Sequence, residues 1–515
     1  MTKIKKAVLS LAVAAAMGGA ISSANAVNLA TDGLGDVLLY PYYTARNGWN
    51  SLIHIVNTSS VATIAVKVRF QEAQNTRDVL DFTLVLSPND VWTGYVTNTA
   101  NGPRLKKSSS ETSCTSPVMP SDGFAFSTYG FGGGTDLTRT EEGHVTVIEM
   151  GSTTGTAIDT AAKAKDCTTI DEAFTKANID ATSNQFGEPL NALKGQFSLV
   201  RVDAGLAMGG APVTLANFFT PNLDYAAPGT VDGDTGPNAA GTFATNFGVY
   251  NLIAAQEYPD FLLPTLNDAN PVASLVQNDT QGAVQETLID TGWTNPVDAV
   301  SAVLMRSNVM NEWSINPSLG VESYWVVSFP TKFHYVDANA QPTQTELDAM
   351  VGGGPATAPY DQPAYVGGPA PFSTLWTDAN RSCDTVTFQV YDRSEGTVSA
   401  TGTSISPAPP IPPRALCNEV NVLSFSPTAN LLGSAVAQAV DVSALVSQQP
   451  YGWLNLKLPV VAGTNELADT NTYLGLPVTG FVLWSRDFGI AANNYGHLVD
   501  HAYMRNVISA TTANN

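Results

Sequence analysis

The sequence predicts an all-β fold, mainly antiparallel, as one large and elaborated β-sandwich-like unit with a few short helices in loop insertions. Many short segments alternate apolar and polar residues with a period of two, which is typical of half-buried strands. The 42 glycines and 31 prolines are spread between these segments as turns. A hydrophobic fraction of 44%, against 13% charged residues, is enough for a large core.

The clearest alternation is a predicted hairpin. The even-numbered residues of 64–70 are apolar, while Lys67 and Arg69 fall on the opposite face. After the polar link 74–77, the even-numbered residues of 80–86 are apolar again. Two half-buried strands joined by a short polar link predict an antiparallel hairpin. Further strands are predicted at 92–96, 145–149, 197–202, 324–329, 386–391, 420–425 and 481–484.

Three short helices are predicted, in loop insertions or over an open end of the β core, and each has a start signal. Proline is tolerated in the first turn, a Thr with a Glu three residues later forms a capping box, and acidic first-turn residues favour the helix dipole. The three segments are one through 300–304 after Asn295-Pro296, one from Thr343 and Glu346 to the glycines 352–354, and one at 169–179 with Asp171 and Glu172.

Residues 1–26 are predicted to be a signal peptide. Three lysines within 3–6 form a positive start, 7–20 is almost uninterruptedly apolar, and 24–26 has the small-x-small pattern of a cleavage site. The mature chain is therefore expected to begin at Val27, outside the cytoplasm. No second apolar stretch approaches the roughly 18 residues of a spanning helix, so no transmembrane segment is expected in the mature chain.

The mature residues 27–515 are predicted to form a single β-rich domain. The segment 352–371 is rich in Gly, Pro and Ala and is the candidate boundary if the domain is subdivided. A second proline-rich run, 404–413, lies between two cysteines and is interpreted as a loop within one domain.

Cys114, Cys167, Cys383 and Cys417 allow three pairings. We favour Cys114–Cys167 and Cys383–Cys417, whose loops would each stabilise the fold by roughly 4 kcal/mol in the chain-entropy model. Export favours oxidation of these thiols. Free buried thiols are the alternative, and a zinc site is disfavoured because no C-x-x-C pair occurs.

The charge of the chain disfavours two classes of partner. The sequence has 24 Lys and Arg against 45 Asp and Glu, a formal charge of −21, and the mature part without three signal-peptide lysines is at −24. This acidity argues against nucleic-acid binding and against electrostatic docking to anionic lipid. The partners expected instead are proteins, surface polymers or further copies of the chain, while divalent cations also suit the acidity.

Asp232, Asp234 and Asn238 are candidate Ca²⁺ ligands, because alternating oxygen side chains with intervening glycines can surround a hard cation. An EF-hand is excluded, since position twelve counted from Asp232 is Phe243 where a glutamate is required. A simple Asp-Gly turn is the alternative. No cofactor other than Ca²⁺ is expected.

His497 and His501 are a second candidate metal site. If 495–504 is helical, the two histidines share a face at i, i+4, a spacing that can hold one metal ion. Two partly exposed histidines are the alternative. On a strand, Glu142 and His144 would share a face, which suits a base for hydrolysis or a hydrogen bond at the strand entry. No catalytic residue is assigned, since no nucleophile elbow, zinc helix or P-loop occurs.

Tyr40, Tyr42 and Tyr43 cluster around Pro41 near the predicted mature N-terminus. Aromatic rings beside a rigid proline, directly after a loop, would form an exposed contact patch or seal one end of the core. We take the contact patch as the prediction.

Six segments carry a combined pattern: 38–44 (LLYPYYT), 66–73, 78–94, 141–151, 325–332 and 391–393. In this order they resemble a group of exported proteins of Gram-negative bacteria that are usually described only as cell surface proteins. The resemblance covers most of the mature chain. It implies a location at the cell surface, in the extracellular space or in the periplasm, and it implies no catalytic residue.

These features together predict a non-enzymatic structural or interaction protein that is exported to the cell surface or the extracellular space. One alternative is a carbohydrate- or Ca²⁺-binding β module, since some of the 8 tryptophans and 17 tyrosines could stack on sugars. The other alternative is a secreted hydrolase that uses carboxylates or His144.

Overall fold

The computed structural model describes residues 27–128, 136–175, 178, 181–182, 185–187, 189–218, 273–278, 285–290, 293, 296–337, 368–376, 381–393, 397–399, 414–425, 430–440, 442, 450–469 and 471–508. The predicted signal peptide 1–26 lies outside these residues. So do the helix predicted from Thr343 and most of the candidate boundary at 352–371.

The strands up to residue 218 are divided between two sheets. They are β1 Asn28–Leu29, β2 Val37–Thr44, β3 Asn50–Asn57, β4 Thr63–Glu72, β5 Asp78–Leu86, β6 Val91–Thr99, β7 Gly102–Lys107, β8 Cys114–Ser116, β9 Phe124–Ala125, β10 Glu142–Thr153, β11 Leu193–Arg201, β12 Leu206–Gly210 and β13 Val213–Ala216. Sheet A has the order β1-β13-β2-β10-β4-β5-β8, and sheet B has the order β12-β11-β3-β6-β7-β9.

The later strands are β14 Ala273–Asn278, β15 Gln285–Asp290, β16 Met305–Arg306, β17 Asn308–Ser314, β18 Val321–Ser328, β19 Asp384–Asp392, β20 Thr397–Ser399, β21 Arg414–Leu416, β22 Val420–Ser424, β23 Ala437–Ala439, β24 Tyr451–Lys457, β25 Glu466–Ala468, β26 Thr472–Leu474, β27 Leu476–Pro477, β28 Thr479–Arg486, β29 Tyr495–Asp500, β30 Ala502–Met504 and β31 Asn506–Ile508. Sheet C is β20-β19-β24-β17-β30 with β21 beside β19, sheet D is β23-β22-β18-β28-β29, and sheet E is β25-β26-β31. β14–β15 and β16–β27 form two further pairs.

The described part of the chain is therefore mainly antiparallel β-structure, as the sequence predicts. Its helices are α1 Ala157–Ala164, α2 Cys167–Ala173, α3 Pro296–Leu304 and α4 Lys332–Val336. α3 confirms the helix expected after Asn295-Pro296. The helix predicted at 169–179 is α2, which begins earlier because Asp166 caps it by accepting a hydrogen bond from the Thr169 amide, 3.2 Å away, and which ends at Ala173, earlier than predicted. None of the described helices is long and apolar enough to cross a membrane.

The predicted hairpin is β4–β5, with Ile64 opposite Leu86. Its expected solvent face is also covered, since Lys67 is only 2% exposed. On that face Ala65 and Val85 pack against apolar residues of α1 and α2. The helical insertion thus turns a half-buried hairpin into one that is buried on both faces.

The three central strands of sheet D, β22, β18 and β28, are largely buried on both faces and connect the two halves of the chain. On β18, Tyr324 and Val326 join the hydrophobic cluster formed with sheets A and B. Trp325 and Val327 join the other large cluster, formed mainly with sheet C and α3. Because successive residues of a strand point to opposite faces, one strand serves two cores.

Both disulfides have the predicted pairing. Cys114–Cys167 joins β8 to the start of α2, across 53 residues of sequence. Cys383–Cys417 joins the start of β19 to the residue after β21, across 34 residues. All four cysteines of the chain are paired in this way.

Candidate functional site

A cavity of about 490 Å³ lies at one end of sheet C, where β17, β24 and β30 meet the start of β31. Two of its nine lining residues are cationic, four are amide or hydroxyl side chains, and none of the nine is acidic. The lining residues are Ser307, Asn308, Asn455, Lys457, Leu458, Val460, Met504, Arg505 and Asn506.

The strand alternation places Lys457 at the cavity. Leu454 and Leu456 of β24 are fully buried in the core under sheet C, so Asn455 and Lys457 face outward. The register sets Lys457 opposite Asn308 of β17, and the Asn308 amide donates a 2.8 Å hydrogen bond to the Asn455 side-chain oxygen. One ammonium and two amide groups therefore share this end of the outer face.

Arg505 reaches the cavity from the other side and also contacts a helix end. Its guanidinium donates a 2.8 Å hydrogen bond to the carbonyl of Val303, in the last turn of α3. Arg306 donates to the same carbonyl at 3.0 Å and to that of Met305 at 2.8 Å. Cations at the C-terminal end of a helix are stabilised by its unpaired carbonyls and dipole. Both arginines therefore have a structural role in capping α3.

The charge of Arg505 is incompletely compensated. Burial and the positive charge of Arg306 lower the pKa of Arg505 to about 8, and the nearby Tyr473 opposes the shift. Among the described residues, its second terminal nitrogen (Nη1) has no hydrogen-bond partner. A guanidinium remains protonated at neutral pH, so the lowered pKa expresses the electrostatic cost of its position. An anion in the cavity would reduce that cost.

The arrangement suits recognition of an anion with a polar or partly apolar body. A charge-assisted hydrogen bond from Lys457, together with the nearby positive charge of Arg505, would hold a carboxylate, sulfate or phosphate. Asn308 and Asn455 provide donors and acceptors, and the remaining wall is partly apolar. Sequence reasoning missed this site, because Lys457 and Arg505 lie in separate strand segments with no motif around either residue.

The tyrosines predicted as a contact patch are core residues, so that prediction is wrong. Tyr40, Tyr42 and Tyr43 are 1%, 0% and 0% exposed. Tyr42 donates a 3.0 Å hydrogen bond to Glu142, and Tyr43 donates at 3.0 Å to the carbonyl of Thr140. β2 lies inside sheet A with both faces covered, which leaves no exposed side for an aromatic patch.

His497 and His501 are not on a helix, so the predicted i, i+4 metal geometry is wrong. His497 is in β29 and its ring stacks on Trp484 with centroids 5.9 Å apart. His501 is 5% exposed, and its Nε2 lies 3.0 Å from the carbonyl oxygen of Val326. Residues four apart in an extended chain are separated by about 13 Å, too far to share one ion.

Glu142 and His144 do not act as a pair. The Glu142 carboxylate is 2.8 Å from the Arg46 guanidinium and accepts a 2.8 Å hydrogen bond from the Ala435 amide. Both ring nitrogens of His144 lack a hydrogen-bond partner among the described residues. Burial and the charge of Arg69 lower the pKa of His144 to about 3, so its imidazole is neutral. The hydrolase hypothesis therefore loses the carboxylate partner proposed for His144.

The calcium candidates Asp232, Asp234 and Asn238 lie outside the described residues, and this hypothesis stays a prediction. Within the described ranges, no group of three or more His, Cys, Asp or Glu side chains is arranged to hold a metal ion.

The fold and site define a disulfide-bonded antiparallel β protein with a cationic cavity at the edge of one sheet. No protein-family model, no curated protein and no solved structure matches this chain.

Proposed function

We propose that this is an exported, non-enzymatic interaction protein that binds an anionic ligand in the cavity between Lys457 and Arg505. The observation that carries the proposal is the absence of any acidic residue among the nine lining residues, in a chain with a formal charge of −21. With so many acids available, a cationic cavity lined without one favours an anion as its occupant.

The incomplete electrostatic stabilisation of the Arg505 guanidinium supports the same function. A structural cation is normally stabilised by a carboxylate or by carbonyl groups. Here the Val303 carbonyl accepts from one nitrogen of the guanidinium, and no described acidic side chain lies within ion-pair distance of Arg505 or Lys457. A bound anion would therefore contribute both ligand affinity and protein stability.

The location at the cell surface or in the extracellular space is part of the proposal. The signal-peptide pattern of 1–26 supports it, and the two disulfides are compatible with an oxidising compartment. Cell fractionation and mass spectrometry of the N-terminus test it, and we expect a chain that begins at Val27 outside the cytoplasm. An intact N-terminus in a cytoplasmic fraction would contradict export.

Titration calorimetry with glucuronate and with sulfate tests the binding function. We expect the protein to bind at least one of these anions, with an affinity that falls as salt is added. Lys457→Gln removes an exposed cation and should weaken binding about tenfold. Lys194→Gln, an exposed lysine of β11 on another sheet, is the matched control. Failure to bind either anion, or equal weakening by both substitutions, would refute the proposed function.

A further inference from the structure

The cavity is one end of a longer polar and aromatic surface on the outer face of sheet C. The residues of β24 that lie on this outer face are Lys457, Asn455 and Trp453, at alternate positions along the strand. The register places Tyr391 of β19 beside Trp453, and Gln389 beside Asn455. Trp453 lies four positions before Lys457, which in a strand corresponds to about 13 Å. We call Lys457, Asn455, Gln389, Tyr391 and Trp453 the outer strip.

The middle of the outer strip is a row of amide side chains. Asn308 donates to Asn455 at 2.8 Å, and Asn455 donates to the Gln389 side-chain oxygen at 3.4 Å. An amide both donates and accepts hydrogen bonds, and these amides hold one another in fixed orientations. Such a row matches the hydroxyl groups along the edge of a sugar chain.

The far end of the outer strip is an exposed aromatic pair. The rings of Tyr391 and Trp453 stack at 9° with centroids 4.4 Å apart, and Trp453 is 39% exposed. An exposed tryptophan beside polar groups offers an apolar ring surface and a polar edge. A sugar ring matches both properties, because its C–H face is apolar and its surrounding hydroxyls are polar.

The charges differ between the two ends. Lys457 and Arg505 lie at the cavity, whereas the exposed carboxylate of Glu312 lies directly opposite Trp453 on β17. A carboxylate of the ligand would be attracted at the cavity and repelled beside Glu312, while the guanidinium of Arg393 lies 3.9 Å from the ring centroid of Tyr451, two residues from Trp453. The surface therefore favours a ligand with a negative group at one end and a neutral sugar about 13 Å away.

We propose that the outer strip binds an acidic oligosaccharide in which a uronate neighbours neutral sugars. The uronate carboxylate occupies the cavity, the amide row bonds to the hydroxyls of the next unit, and a neutral sugar packs against Tyr391 and Trp453. This inference rests on the proposed anion-binding function and names its ligand class.

The test compares glucuronate with a trisaccharide of one terminal glucuronate followed by two N-acetylglucosamine units, by titration calorimetry on the full protein. We expect the oligosaccharide to bind about tenfold more tightly than glucuronate, because it also contacts the aromatic pair. Trp453→Ala should remove that gain and leave glucuronate binding unchanged. Lys457→Gln should weaken both ligands. Phe488→Ala, which removes another exposed aromatic ring on the loop after β28, is the matched control and should change neither.

Several outcomes would overturn the inference while leaving the proposed function intact. They are glucuronate binding with no gain for the oligosaccharide, a gain that survives Trp453→Ala, and equal affinity for an uncharged N-acetylglucosamine oligomer. Glu312→Gln tests the charge pattern separately. We expect an all-uronate trisaccharide to bind more weakly than the trisaccharide with one terminal glucuronate, and Glu312→Gln to reduce that difference. An unchanged difference would contradict the role of Glu312. Loss of glucuronate binding in the unmodified protein would refute the proposed function itself.

Discussion

The indole nitrogen of Trp49 donates a 2.9 Å hydrogen bond to the carbonyl oxygen of Leu431, 382 residues later in the chain. The side chain of Asn47 donates to the same oxygen, also at 2.9 Å. Nearby, the amide of Val420 donates at 2.9 Å to the carbonyl of Ala73. Side-chain and backbone hydrogen bonds therefore join the first two sheets directly to the segments around β22.

Trp49→Phe should destabilise the protein by about 1–3 kcal/mol, because it removes a buried hydrogen bond and leaves a small void. Trp49 is 1% exposed, so the smaller ring leaves its void inside the core, while Asn47 still donates to the Leu431 carbonyl. The change in urea midpoint measures the loss. Trp453→Phe, at a residue 39% exposed, is the control and should cost much less. Equal effects of the two substitutions would contradict the role of the Trp49 hydrogen bond.

Lys332→Met should cost roughly 3–5 kcal/mol, because it leaves a buried carboxylate without its cation. Lys332 and Asp384 are both 0% exposed and 3.1 Å apart. Lys332 also donates a 2.6 Å hydrogen bond to the carbonyl of Ser382, next to a disulfide cysteine. Chemical denaturation measures the cost.

The control for Lys332 is an ion pair with an exposed carboxylate. Arg201 and Asp203 lie 3.2 Å apart, and the carboxylate is 64% exposed. Arg201→Ala should therefore cost no more than about 1 kcal/mol. A Lys332→Met variant with stability close to that of Arg201→Ala would show that the buried pair contributes little.

The titration of Glu149 should lower the free energy of unfolding as pH rises. Burial, and to a smaller extent the charge of Asp36, raise the pKa of the Glu149 carboxyl to about 8, while backbone amides of Leu190 and Ala192 oppose the shift. In the unfolded chain its pKa is about 4.3, so between about pH 4.3 and pH 8 the folded state binds the extra proton. The stabilisation by protonation of Glu149 is complete below this window and is lost as pH rises through about 8.

Glu149→Gln keeps an acceptor for one of the two backbone amides, which costs the same at every pH, and removes the titration. The difference in unfolding free energy between wild type and Glu149→Gln should therefore shift against wild type from about pH 5 to about pH 9. Urea midpoints at several pH values measure it. Glu172→Gln, at an exposed residue of α2, is the control. A difference that does not vary with pH would contradict the raised pKa.

Val326→Ala and Val327→Ala should both destabilise the protein by roughly 1.5–3 kcal/mol, since each removes buried methyl groups from a different core. Both residues are 0% exposed. β11 is the control, because its alternate residues face solvent. There Phe197→Ala should lower the free energy of unfolding, and Gln196→Ala should leave it nearly unchanged. If one of the two valine substitutions is neutral, sheet D has a free face.

Much of the fold could be predicted because strand alternation is local. The β4–β5 hairpin, the strands that became β18 and β28, and the helix after Asn295-Pro296 follow from period, turns and caps within a few residues. The same alternation could not show that Ala65 and Val85 on the predicted solvent face would be covered by α1 and α2, because those helices come from an insertion far along the chain.

The candidate site could not be predicted. Lys457 occupies an ordinary outward position of a strand, and Arg505 follows a strand of only three residues. Only the pairing of β17 with both β24 and β30 brings them to one cavity. The histidine prediction failed for the related reason that 495–500 pairs with β28 as a strand, which separates His497 from His501.

The sequence by itself determined the antiparallel β class and the local elements, because apolar period, turn residues and helix caps act over short distances. The choice of disulfide partners was favoured from sequence order and is fixed by contacts between distant strands and helices. The tertiary structure decided which faces are buried, that the tyrosines of β2 lie in the core, and that Lys457 and Arg505 line one cavity with no acid among its nine described lining residues. Those properties depend on which distant strands pair, and that pairing is set by the packing of whole sheets.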